Sequence, residues 1–210
     1  MRKVLIALLT ALVTVSCHQT AGPEPFQTGD LVFVNLPLKK VNGEDSTKTT
    51  LIHVGILEVD QQDSLWVVDV TLKHGVMRDS VATFFRDFKR SNGKYPEMIV
   101  MRLKDTTHVA EYVRKAESFI GQPYDFDFMP HNGALYCTEL VYESYVTPEG
   151  EHLFKEIPMN FKEEDGNYAI YWQNLFSKIN VPIPQGKMGT TPDSMIASEQ
   201  LRPVRNSLVK

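Results

Sequence analysis

The chain has 210 residues, with 22 Lys and Arg against 26 Asp and Glu, and 42% of it is hydrophobic. That balance describes a globular protein with enough chain for one core and excludes a disordered or fibrous one. A net charge of −4 gives no reason to expect a nucleic-acid partner, and two cysteines, 17 and 137, form neither a disulfide scaffold nor a metal knuckle.

The chain opens on the basic segment Met1-Arg2-Lys3 and an apolar run from Val4 to Val15, broken only by Thr10 and Thr14. A membrane span takes about 20 residues, so this shorter run fits the apolar region of a secretory signal. Thr14-Val15-Ser16-Cys17 resembles the lipobox of bacterial lipoproteins, with Thr14 where leucine is commonest. The resemblance implies a signal peptide at 1–16 and lipidation of Cys17. The protein would then be exported and anchored to a membrane of the cell envelope, an outer membrane with a periplasmic or surface face. A plain secretory peptide and a buried N-terminal helix are the other readings. Residues 17–28 read as a polar tether, and 29–210 as one domain. With Cys17 lipidated, Cys137 is the only thiol left and has no disulfide partner within the chain.

Asp30-Leu31-Val32-Phe33-Val34 predicts a first strand, and a loop follows from about Leu38 to Thr49. Leu51–Val59 and Leu65–Thr71, separated by Asp60-Gln61-Gln62-Asp63, predict an antiparallel hairpin. Strict alternation would put Leu51, His53, Gly55, Leu57 and Val59 on one face. Asp79-Ser80 can cap a helix with Val81, Phe84, Phe85 and Phe88 on one side. Met98–Leu103 predicts another strand. Thr107 can cap a helix carrying Val109, Val113, Ala116 and Ile120, with Gly121 ending it. Ala134–Tyr145 predicts a helix stopped by Thr147-Pro148, and Tyr168–Ile179 a last short one. Beyond it, Pro182, Pro184, Gly186, Gly189 and Pro192 suggest extended chain wrapped over the body. Strands and helices mixed without a βαβ repeat make the class α+β.

Cys137 falls just before or at the first turn of its helix. Free N–H groups and the positive dipole end there favour thiolate and can stabilise an oxyanion. A thiolate nucleophile also needs a base. Of six histidines, His53 stands out as a polar residue in an apolar strand, where an imidazole carries a desolvation cost. His74, near Gly75, is the rival. Asp69 lies on the neighbouring strand, within reach of His53 Nδ1 through cross-strand neighbours about 5 Å apart. It could orient the ring. The residues alone equally allow a buried core cysteine, a satisfied core histidine and a strand-edge acid.

Four strings carry a further resemblance: Gly29-Asp30-Leu31-Val32-Phe33, His53-Val54-Gly55-Ile56, Gly121-Gln122-Pro123-Tyr124-Asp125-Phe126-Asp127-Phe128, and Tyr136-Cys137-Thr138-Glu139-Leu140-Val141-Tyr142. Together they resemble the YiiX/YebB-like branch of the NlpC/P60 superfamily, which has a circularly permuted papain-like fold. The resemblance covers roughly residues 26–205, including the tail with Trp172, Pro184-Gln185-Gly186 and Gly189-Thr190-Thr191-Pro192. It implies Cys137 as nucleophile, with Thr138 replacing the usual serine, His53 as base, and Asp69 in place of the usual glutamate. Tyr124 falls on a strongly patterned position and could line the groove or pack. Glu139, two residues beyond the thiol on a helix, points away from it and suits a structural hydrogen bond.

The implied activity is a cysteine peptidase or amidase acting on short peptides, of peptidoglycan-stem type, with no metal or cofactor required. Two alternatives stand beside it: lipid acyl or thioester chemistry of lecithin:retinol acyltransferase type, and a non-catalytic peptide or amino-acid binding module. An apolar slot leading to Cys137 favours the lipid reading, and a polar groove favours the peptidase.

Overall fold

The computed structural model describes residues 22–37 and 49–208. Cys17, the signal segment and most of the loop expected at 38–49 lie outside them. Strands β1 (Leu31–Pro37), β2 (Thr49–Val59), β3 (Leu65–Thr71) and β4 (Gly75–Ser80) lead into helix α1 (Val81–Asp87) and strand β5 (Glu97–Leu103). Helices α2 (Val109–Glu117) and α3 (Cys137–Ser144) follow. The C-terminal part holds β6 (Ile157–Pro158), α4 (Ile170–Ile179), β7 (Met188–Gly189), α5 (Pro192–Ile196) and β8 (Leu201–Pro203). Six strands form one antiparallel sheet in the order β4-β3-β2-β1-β5-β8, and β6 pairs with β7 separately. The class is α+β.

The central strands read as continuous apolar runs because both faces of the sheet are covered. On one face, Leu31, Phe33, Val54, Ile56, Val68 and Val70 pack with Val113 and Ala116 of α2 and Leu140 and Val141 of α3. On the other, Val32, Val34, Leu57, Val67 and Val100 pack with Phe84 of α1. A third cluster, Phe128, Tyr136, Met159, Phe161 and Phe176, ties α4 and the small sheet to the residue just before Cys137.

Strict alternation along β2 fails at one point. Val34 pairs with His53 but Asn35 pairs with Leu51, so Ile52 is an extra residue and the strand bulges beside His53. Leu51 therefore joins the cluster of Val54 and Ile56, while Ile52 joins that of Leu57. Bulges of this kind re-aim the neighbouring side chain.

Ser80 caps α1, its hydroxyl accepting from the Thr83 N–H at 3.2 Å, while Asp79 stays in β4. Thr107 does not cap α2; it turns back on Asp105, and His108 takes the cap position with its ring bonded to Glu111 rather than to a free backbone N–H. That helix stops at Glu117, because Phe119 and Ile120 donate to the third carbonyl back and tighten the chain into turns before Gly121. The C-terminal stretch is more ordered than extended chain. Thr191 caps α5 above a Pro at its first position, and β8 closes the sheet against β5.

The final part of the tether is fixed to the body. Arg102, only 4% exposed, donates to Asp30 Oδ1 at 2.6 Å, Asp30 Oδ2 at 2.8 Å and Glu24 Oε1 at 2.8 Å. Arg202 holds the same Glu24 at 2.7 Å. Among the described residues no helix is long and apolar enough to cross a membrane.

Candidate active site

Cys137 is the first residue of α3, after Tyr136 in extended conformation (φ −101°, ψ 171°). Its thiol is free and 9% exposed. First-turn N–H groups have no intrahelical acceptor, so the helix presents donors and a positive dipole end at the sulfur. The thiol lines a 660 Å³ cleft that also contains His53 and Asp69.

His53 comes from the bulged end of β2 and is nearly buried, its ring centroid 5.0 Å from that of Phe88 and 5.9 Å from that of Phe84. Its Nε2 lies 2.9 Å from Asp69 Oδ2. The carboxylate was expected at Nδ1; it occupies Nε2 instead, which leaves Nδ1 for Cys137. Burial works against charge on this ring. The negative charge of Cys137, the hydrogen bond to Asp69 and a hydrogen bond to Cys137 outweigh it, and His53 is raised to about 10. The ring therefore holds its proton as imidazolium, with Nε2–H donating to Asp69. Asp69 is 3% exposed, opposite Met77 of β4.

Tyr124 bridges to Leu135, packs its ring 4.9 Å from Phe126 and lines the same cleft. Burial, and then the charge of Cys137, push its phenol well up. Glu139 does not join the group. Its carboxylate accepts from the Tyr136 N–H at 3.4 Å, and it lines a separate 150 Å³ cavity. Burial pushes Glu139 up to about 8; the Tyr136 N–H opposes this, and the charges of Asp125, Glu143 and Glu156 add to it. His74, the rival base, is exposed at the cleft rim in the β3–β4 turn.

Sequence reasoning missed several residues of the cleft. Tyr171 has its phenol pushed up to about 12 by burial and by the charge of Cys137. Phe88 packs on the catalytic-type imidazole, and Thr190 bonds to both neighbours of Cys137. Nothing near these residues marks them; only the tail motif around Thr190 hinted at a role. One wall of the cleft is aromatic and apolar, with Tyr124, Phe128, Met159, Phe161, Tyr171 and Trp172. The lining also carries the charged or titratable residues Lys73, His74, Asp79, Arg86 and Asp87.

Among the described residues no group of three or more His, Cys, Asp or Glu side chains is placed to hold a metal ion. Among solved structures, the chain is similar to metalloprotein yiiX from Escherichia coli O157:H7 (DUF1105). The TM-score is 0.60 at 19% identity, covering 88% of this chain and 99% of that one, a likeness that shows the fold. No curated protein matches the chain. Residues 25–205 match the family described as permuted papain-like amidase enzyme, YaeF/YiiX, C92 family. The match takes in every strand and helix from β1 to β8, and the chain belongs to this family of permuted papain-like amidases.

Proposed function

We propose that the protein is a cysteine-dependent amide hydrolase that works through a thioacyl-enzyme on short peptides of peptidoglycan-stem type. The observation that carries this reading is the 2.9 Å contact between His53 Nε2 and Asp69 Oδ2, in a cleft that also holds the Cys137 thiol at a helix start.

The Cys137 thiolate attacks the amide carbonyl, forming a carbon–sulfur bond. The backbone N–H of Cys137 serves as one oxyanion donor. His53, as imidazolium, gives its Nδ1 proton to the leaving amine when the carbon–nitrogen bond breaks. Water then attacks the thioester with neutral His53 taking its proton, and the acid and thiolate are released. Asp69 holds the ring through Nε2 in both half-reactions. The mixed charges of the lining, Lys73 and Arg86 with Asp79 and Asp87, suit a substrate bearing free carboxylates and amines.

The aromatic wall supports a second reading, in which the acyl group is apolar and comes from a lipid. A lipid anchor at Cys17 would hold the protein at an envelope membrane, where either substrate is within reach.

The test is to incubate the protein with muropeptides and with acyl lipids, trap the reaction in acid and weigh the intact protein. The peptide reading expects release of a primary amine and a muropeptide-derived adduct on Cys137 that is lost in Cys137→Ala. An adduct from lipid only would favour the second reading. Binding of either without any adduct or turnover would sink the enzyme mechanism and leave a binding module.

A further inference from the structure

We infer that the Gly189–Thr190 strap is a positioning element for the nucleophile, gripping the residues on either side of Cys137 through the backbone of Thr190. This rests on the reading of Cys137 as the nucleophile and extends it to a segment more than fifty residues away.

The Thr190 N–H donates to the Tyr136 hydroxyl oxygen at 3.1 Å, and the Thr190 carbonyl accepts from the Thr138 hydroxyl at 2.9 Å. Tyr136, Thr138 and Thr190 are all buried. One residue of the strap thus donates to one neighbour of the thiol and accepts from the other. A residue at the first position of a helix lacks the i−4 bonds that fix the interior, so its orientation depends on tertiary contacts. Here the strap supplies one such contact at each residue beside Cys137.

The strap is shaped for this. A Cβ built on Gly189 would stand 2.7 Å from the Tyr136 hydroxyl and 3.0 Å from Met159 Sδ, so a side chain there would push the phenol away. Glycine is needed for close approach, since its φ is not in the left-handed region. On one side the strap is held by pairing of Gly189 with Ile157 in the small sheet. On the other, Thr191 caps α5, which packs on β2, the strand of His53. The same stretch therefore joins the start of the nucleophile's helix to the strand of the base. This also gives Thr138 a reason for its hydroxyl: serine preserves the bond to Thr190, and valine, of the same shape, does not.

The test compares the wild type with Thr138→Val, Thr138→Ser and Tyr136→Phe. It follows the burst of p-nitrophenol from p-nitrophenyl acetate and the pH dependence of Cys137 alkylation by iodoacetamide, with urea unfolding alongside. Small misplacements of a reacting group cost up to about 100-fold. The burst rate should fall about 10- to 100-fold in Thr138→Val, and its alkylation profile should shift toward that of a free thiol, while Thr138→Ser stays close to wild type. Tyr136→Phe, which removes only the acceptor of the Thr190 N–H, should move both readouts the same way and covers the case of a Thr138→Val that fails to fold. A primed wild type with equally primed Thr138→Val and Tyr136→Phe overturns this inference alone. A wild-type Cys137 that alkylates no faster than a free thiol overturns the functional reading and this inference with it.

Discussion

Asp69 reaches His53 across Gly55. The β2–β3 register pairs Ile56 with Val68, which sets Asp69 beside Gly55, and Asp69 Oδ2 spans diagonally to His53 Nε2 at 2.9 Å. A Cβ added at Gly55 would overlap Val67 Cγ1 and lie 3.3 Å from Asp69 Cβ and 3.4 Å from Phe84 Cε2. The bare glycine between histidine and acid leaves room for Val67 and Phe84 to pack against the strand there.

Gly55→Ala should therefore destabilise the fold by about 1–3 kcal/mol, the usual cost of overpacking. Urea unfolding measures it. Combining it with Val67→Ala should give a smaller loss than the two single losses added, since the second change removes the overlapping methyl. Strict additivity would mean that Val67 is not the obstacle.

The titration of His53 sets the alkaline limb of activity. With His53 raised to about 10, the imidazolium persists well above the ordinary value of about 6.5. The stability gained from the ion pair is then complete below about 6.5 and lost as pH rises through about 10. Turnover, which needs the Nδ1 proton, should fall over the same upper limb. Asp69→Asn removes one of the groups that raise His53, so the limb should move to lower pH, and turnover at pH 7 should fall about 100-fold or more. A pH–rate profile of the two proteins checks this, and an unmoved limb would contradict it.

Glu139 has a linkage of the same sign, here because burial favours the neutral acid. Its carboxyl is pushed up to about 8, chiefly by burial, so the folded protein holds a proton that the unfolded chain releases near the ordinary carboxylate value of about 4.3. Stability should decline as pH rises from there toward 8. Glu139→Gln keeps an acceptor for the Tyr136 N–H and has no proton to lose. Melting temperatures at pH 5 and pH 8 should differ less in the variant than in the wild type, and equal differences would contradict the assignment.

The site was legible where residue type conflicted with its surroundings. Periodicity marks a histidine and an acid in apolar strands and a cysteine at a helix start only as candidates, the family resemblance gives them roles, and the geometry brings the three into one cleft. What could not be read depends on pairing between distant segments. The bulge at Ile52 exists only because β1 and β2 are locked in register on both sides of it. Strand β4 reads Gly-Val-Met-Arg-Asp-Ser, an edge segment without alternation, and only pairing with β3 makes it a strand. The choice of Nε2 over Nδ1 follows from the diagonal approach of Asp69. The hold of Thr190 on Tyr136 and Thr138 joins parts of the chain whose local patterns are independent.

The most direct test of the central claim is the pH dependence of iodoacetamide alkylation at Cys137, in the wild type, His53→Ala and Asp69→Ala. An ordinary cysteine reacts as its thiol ionises near 8.5. The arrangement predicts rapid alkylation at pH 6 in the wild type and a marked slowing there when His53 is removed, with Asp69→Ala between the two. A Cys137 that follows the ordinary thiol profile, unaffected by the loss of His53, would contradict the catalytic pair.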